Sequence, residues 1–273
     1  MDDQQFDTNA YLKRIGYAGT IEPTFDVLKA IHRAQHFAIP FENFDIALGK
    51  AIDLRAENLF HKLVHNRRGG YCFELNGLLL RALQVFGFDA RALLGRVHLT
   101  GVPSGRGHQI SLVTIEGRQW IVDVGFGSGT PRAPVPFVFD QEVSAHGQTV
   151  RLIESESFGT MLQMKNGEDW DDLYSFDLEH VCAGDIAYGN HYTSTSPNSF
   201  FARDRVAAIP VKGGGITLLN DRLTKSVDGK LTTTQLETGH PYIDALKTHF
   251  GIELDACYDD LKPIGDDPHA SNP

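Results

Sequence analysis

Arg67-Arg68-Gly69-Gly70-Tyr71-Cys72 runs directly into an apolar stripe at Leu75, Leu78, Leu79, Ala82, Leu83 and Phe86, which Gly87 ends. That spacing predicts the strongest helix of the chain, with Cys72 at its start. Unpaired N–H groups and the helix dipole favour an anion at such a position. The thiolate is the nucleophilic form of cysteine. Gly69 and Gly70 let the backbone turn tightly just ahead of it. Two readings of Cys72 stand at this point: a nucleophile on a helix N-terminus, or a small buried apolar side chain.

Upstream the pattern is helical. Tyr11, Leu12 and Ile15 precede Gly16 and Gly19, and Phe25, Leu28, Ile31 and His32 follow Pro23. Ile39-Pro40-Phe41-Glu42-Asn43 breaks the period, and Leu59, Phe60, Leu63 and Val64 resume it. Downstream the period becomes two. Ala90 to Leu99, His108 to Ile115 and Gln119 to Val124 read as strands, as does Val150 to Met164 with a turn at Gly159. Past residue 200 the signals mix: a strand at Ile216 to Leu219 after Gly213-Gly214-Gly215, then a helix from Pro241 carrying Tyr242, Ile243, Leu246 and Phe250. Gly265 to Pro273 is expected to be disordered. Helices first, strands second and a mixed region third predict an α+β fold.

A catalytic cysteine needs a base, and the base an orienter. With Glu116-Gly117 as a two-residue hairpin loop, residue 110 faces residue 123, and His108 shares a sheet face with Asp123. The pair is diagonal, about 7–8 Å between Cα atoms, which a bulge or a bent strand end would close to a hydrogen bond. With Gly117-Arg118 as the loop instead, the two still share a face but stand about 13 Å out of register, so their contact depends on which loop forms. A structural strand histidine and a turn-opening aspartate are the plain alternatives.

Composition narrows the class. The chain has 273 residues and a net charge of -10, which argues against nucleic acid and anionic membranes as partners. Three widely spaced cysteines form no disulfide framework, so a reducing, cytoplasmic setting is expected. The opening Met1-Asp2-Asp3-Gln4-Gln5 has no apolar run of a leader, and no stretch approaches the roughly 18 apolar residues of a membrane span. There is no CxxC, HExxH or EF-hand spacing, so no metal is expected. Lys212 precedes its glycine run, which excludes a P-loop, and Phe126 spoils a nucleophile elbow at Ser128.

The chain resembles the arylamine N-acetyltransferase family along nearly its whole length. The resemblance lies in Tyr11 to Tyr17, Ile39 to Asn43, Arg67 to Asn76 (the Arg-Gly-Gly-x-Cys-x-Glu-x-Asn run), His108, and Asp123-Val124-Gly125-Phe126-Gly127. It implies a papain-like cysteine-transferase core, with a helical bundle at 1–89, an antiparallel β-barrel at 90–200 and an α/β lid at 201–273. It implies Cys72 as nucleophile, His108 as base and Asp123 as orienter, in a ping-pong acetyl transfer from acetyl-CoA to an arylamine, arylhydrazine or arylhydroxylamine. Glu42 and Arg67 resemble an ion pair near the site, or a plain helix-to-helix salt bridge. Phe126, Phe200 and Phe201 resemble acceptor-pocket residues, with ordinary core packing as the alternative. Gly125 and Gly127 resemble positions where acetyl-CoA nears the backbone. Gly213 and Gly214 with Thr217 are candidates for the CoA phosphates, or a glycine-rich hairpin turn. No permanently bound cofactor is implied, and family members are monomers or dimers. The same triad would serve a thioester hydrolase, a transglutaminase-like enzyme or an amide synthase. A non-catalytic binding module would leave Cys72 unreactive.

Overall fold

The computed structural model describes residues 6–264, so the expectation for Gly265 to Pro273 lies outside the described residues. The helices begin and end for local reasons. Asp7 caps α1 (Thr8–Ile15) by accepting the Ala10 N–H at 2.9 Å, and Gly16 ends it in the left-handed region. Thr24 caps α2 (Phe25–Ala38), and the helix gives way to extended Ile39 just ahead of Pro40. Short helices α3 (Phe44–Ala47) and α4 (Ala56–Phe60) lead to α5 (Cys72–Val85). Tyr71 is the extended residue before α5, and the Glu74 side chain reaches back to accept its N–H at 3.1 Å. Leu75, Leu78, Leu79 and Leu83 of α5 are buried among Leu28, Ile31 and Leu63. Each such leucine contributes about 1.5–3 kcal/mol.

The segment Ile39 to Asn43 does more than break a helix. Its centre is β1 (Phe41–Glu42), the edge of a five-stranded antiparallel sheet. The other strands follow much later: β10 (Val206–Val211), β11 (Gly214–Leu219), β12 (Arg222–Val227) and β13 (Lys230–Gln235). Glu42 pairs with Ala207, which ties the helical region to the C-terminal one. Helix α8 (His240–Phe250) packs Tyr242, Leu246 and Phe250 on Leu218 and Leu223 of that sheet.

Between them lie β2 (Asp89–Val97), β3 (His108–Ile115), β4 (Arg118–Val122), β5 (Val135–Pro136), β6 (Val143–Ala145), β7 (Gln148–Ser155), β8 (Gly159–Asn166) and β9 (Asp169–Phe176). They form one antiparallel sheet in the order β5-β4-β3-β2-β9-β8-β7-β6. A bridge from Phe139 to Leu152 draws its two ends together, and Ile110, Ile121, Leu152 and Leu162 share one core. The result is a nearly closed barrel, and the expected α+β architecture holds. Glu116 and Gly117, both at positive φ, make the β3–β4 turn, and Ile115 pairs with Arg118. Of the two loops the sequence allows, Glu116-Gly117 is the one observed, and it sets the register that brings His108 and Asp123 together. Helices α6 (Ala183–Thr195) and α7 (Phe200–Arg203) follow the barrel.

Candidate active site

Cys72 is the first residue of α5 and is buried, with 3% of its surface exposed. Its Sγ lies 3.6 Å from the carbonyl oxygen of Gly107, the residue just before His108. The glycine ahead of it is required by crowding: a Cβ on Gly70 would stand 2.8 Å from the Glu74 side chain.

His108 opens β3, whereas Asp123 lies one residue beyond the end of β4. Release from the ladder lets Asp123 close the diagonal gap, and its Oδ2 meets His108 Nε2 at 2.8 Å. Nε2 is thereby committed to Asp123, which leaves Nδ1 for the thiol. Burial works against charge on the imidazole. The Asp123 carboxylate, its hydrogen bond and a hydrogen bond with Cys72 outweigh burial and raise the histidine pKa to about 10. Burial would raise Asp123, but the His108 charge, Asn76 and the Gly125 N–H hold it below the usual carboxylate range.

Several supporting residues were not singled out from sequence. Asn76, one turn after Cys72 on α5, donates to Asp123 Oδ1 at 2.8 Å and to the Gln109 carbonyl at 2.7 Å. It also accepts the Val124 N–H at 2.9 Å. Its helical spacing from Cys72 was the available signal. His32 of α2 meets the Asp123 carbonyl through Nε2 at 2.8 Å. The ring of Tyr174 lies 4.8 Å from that of His108 and 5.0 Å from that of Phe126. Nothing local in the sequence marks Tyr174, because β9 meets β2 only after six intervening strands.

The ion pair near the site differs from expectation. Glu42 pairs with Arg68 at 2.8 Å, whereas Arg67 is exposed at φ 53°. The left-handed turn at Arg67 directs the next side chain inward. Arg68 also meets Asp45 at 3.1 Å, and Lys62 meets both Asp45 and Glu74 at 2.7 Å. Burial opposes charge on Lys62, but Glu74, Glu42 and Asp45 push its pKa up. This network braces the loop that presents Cys72.

The remaining candidates divide. Phe126 packs edge-on against His108 at 4.8 Å. Phe201 lies against Phe41 and Tyr71 at 5.8 and 5.7 Å, beside the nucleophile, while Phe200 points outward and is 43% exposed. The backbone that Gly125 admits is that of the nucleophile: an added Cβ would stand 2.9 Å from Cys72 Cα and 2.8 Å from Asn76 Nδ2. Gly127, at φ 60°, lines a cleft of about 230 Å³ together with Gly214, Thr217, His36 and Arg132. Gly213 is a turn residue crowded by the Asp228 side chain and does not line that cleft. All three cysteines are free, and among the described residues no helix is long and apolar enough to cross a membrane.

Comparison with known proteins bears on this arrangement. Residues 24–258 match the N-acetyltransferase family. The chain is 37% identical to the arylamine N-acetyltransferase of Escherichia coli over 225 residues, covering 81% of this chain and 79% of that one. The chain belongs to the arylamine N-acetyltransferase family. Another family relative, from Mycolicibacterium smegmatis, is 34% identical over 91% of this chain and 92% of its own. The family member solved from Salmonella typhimurium superposes with a TM-score of 0.87 at 35% identity, covering 91% and 92% of the two chains. The family member solved from Mycobacterium marinum in complex with CoA superposes with a TM-score of 0.85 at 35% identity, over 90% and 93%. The family is one of acyltransferases, and the fold implied by the motifs is the fold observed.

Proposed function

We propose that this chain moves an acetyl group from acetyl-CoA to an arylamine, arylhydrazine or arylhydroxylamine in two steps through a thioester on Cys72. The observation that carries the reading is the His108–Asp123 bond at 2.8 Å beside Cys72 at the helix start. In the first step the Cys72 sulfur attacks the thioester carbonyl. The tetrahedral intermediate collapses, and CoA leaves with the proton held by His108. In the second step the amine nitrogen attacks acetyl-Cys72, His108 accepts the amine proton, and the Cys72 sulfur departs. The Cys72 backbone N–H opens α5 ahead of the first helical hydrogen bonds, which the Glu74 and Leu75 N–H groups give to the Tyr71 carbonyl, and it suits the oxyanion of each intermediate. One such donor is worth about 2.7–4 kcal/mol in the transition state.

Asp123 holds the imidazole with Nδ1 toward the thiol, and Phe126 and Phe201 offer aromatic surface to the acceptor. Gly127, Gly214 and Thr217 border the cleft suited to part of CoA. The division at 1–89, 90–200 and 201–273 goes with this reading: nucleophile, base with orienter, and cover. A cytoplasmic setting goes with it too, since the three cysteines are unpaired and disulfides are rare in a reducing compartment.

Intact-mass measurement tests the proposal. Wild type mixed with acetyl-CoA alone is expected to gain one acetyl group, and Cys72→Ser none. An aminobenzoate or a hydrazine discharges the adduct. Equal acetylation of the variant overturns the assignment, and rapid loss of the adduct without amine makes the protein a hydrolase.

A further inference from the structure

One face of α2 carries a feature that the catalytic centre does not use. Lys29, Arg33 and Phe37 lie along it at one-turn intervals, and Arg132 and His146 stand across from them. Together with Asp26 they line an open groove of about 570 Å³, within the range typical of ligand sites. The chain as a whole is acidic, at net charge -10, so three cationic side chains and a neutral histidine gathered on one groove, against the single carboxylate of Asp26, are a local reversal. None of the four has an ion-pair partner among the described residues. The convergence is real in electrostatic terms: burial first, then Arg33, Arg132 and Lys29, lower the pKa of His146. The Arg33 guanidinium sits 5.3 Å above the Phe37 ring, which gives the groove an aromatic wall under a cation.

A second observation points the same way. Arg132 also lines the 230 Å³ cleft that reaches Gly127. There the Arg132 side chain has a single acceptor, the Gly214 carbonyl at 3.3 Å. His36, which is 6% exposed, lines the same cleft, and its Nδ1 is buried without a hydrogen-bond partner. An unpaired buried nitrogen beside a half-buried guanidinium leaves hydrogen-bonding capacity in this cleft unfilled. Hydroxyls of Thr217, Thr224 and Ser226 complete the lining.

We propose that the groove bounded by Lys29, Arg33, Arg132 and His146 binds the phosphates of an adenine nucleotide, with the base against Phe37. Two sources share this chemistry. One is the nucleotide end of CoA itself, with the neighbouring cleft that Arg132 and Gly127 both line taking the part of CoA next to it; this source rests on the function proposed above. The other is a free nucleotide that binds beside CoA. The groove geometry is common to both.

Adenosine 3′,5′-bisphosphate separates the outcomes, because it has no thiol and needs no reaction at Cys72. Calorimetric titration of the full chain is expected to detect binding that weakens as salt rises. Lys29→Ala with Arg33→Ala, both exposed positions, is expected to weaken it by roughly tenfold or more, since two charge-assisted contacts are lost. Arg132→Gln is expected to do the same. If CoA displaces the bisphosphate, the occupant is CoA's own nucleotide end. The double variant then raises KM for acetyl-CoA and leaves acetyl-pantetheine, which carries no phosphate, unaffected. If CoA and the bisphosphate bind together, the groove takes a free nucleotide. No heat with the wild type, or equal affinity in the double variant, overturns the proposal whatever becomes of the acetyl transfer.

Discussion

Asn76 and Asp123 are joined at 2.8 Å, and Asn76 stands one turn along α5 from Cys72. One helix therefore carries both the nucleophile and the clamp on the carboxylate that orients the base. The same amide holds Gln109 and Val124, the residues after His108 and Asp123. Asn76→Ala is expected to lower kcat by about one to two orders of magnitude with little change in KM, as positioning groups do when lost. It also leaves buried partners unsatisfied, at about 1–3 kcal/mol for each. Steady-state kinetics and urea unfolding check both effects. An unchanged kcat would detach the clamp from the chemistry.

The two adjacent arginines should behave oppositely. Arg68→Ala strands Glu42, which is wholly buried, and removing one partner of a buried pair costs about 3–5 kcal/mol. Arg67 is exposed at positive φ, so Arg67→Gly relieves backbone strain and is expected to be neutral or stabilising by up to about 1 kcal/mol. Urea midpoints of the two variants distinguish them. Equal losses would mean that Arg67 shares the pairing with Glu42.

This pair also marks where the sequence stops being legible. The β3–β4 hairpin could be read because Glu116-Gly117 dictates its own turn, and the turn fixes the register of His108 and Asp123. Cys72 could be placed because the apolar stripe of α5 starts just after it. Which of Arg67 and Arg68 turns inward depends on one backbone angle that adjacent identical residues do not encode. Tyr174 reaches His108 only because β9 pairs with β2, a contact between distant segments. Helix α6 has no apolar stripe to read, since Thr193 is its one buried residue. Phe41 and Glu42 resemble a helix break because their strand partner comes from the far end of the chain.

Gly125→Ala tests how closely the barrel approaches the nucleophile. The added Cβ would meet Cys72 Cα at 2.9 Å, and backbone does not yield as a flexible side chain does. Overpacking of this kind costs about 1–3 kcal/mol. It should also push α5 away from His108, so the rate of acetyl-Cys72 formation falls much further than stability alone explains. Stopped-flow acetylation together with thermal unfolding checks this. A variant that acetylates normally would show that the contact can relax.

Stability against pH follows from the buried histidines. In the unfolded chain each loses its proton near pH 6.5. Folded His108 keeps its proton up to about 10. Its contribution is therefore whole below 6.5 and is lost as pH rises from there through about 10. His32 runs the other way: burial lowers it to about 4, with the Asp123 carbonyl and charge opposing. The fold is unaffected by His32 above 6.5 and loses stability as pH falls toward 4, by about 3 kcal/mol. His36, lowered by burial and by the charges of His32 and Arg132, adds to the acid limb. Urea midpoints from pH 4.5 to 10 should therefore peak near 6.5. His32→Gln, which keeps a donor to Asp123, should flatten the acid limb, and His108→Gln the alkaline one. If His108→Gln declines above pH 7 as steeply as wild type, the proton is not held between Asp123 and Cys72.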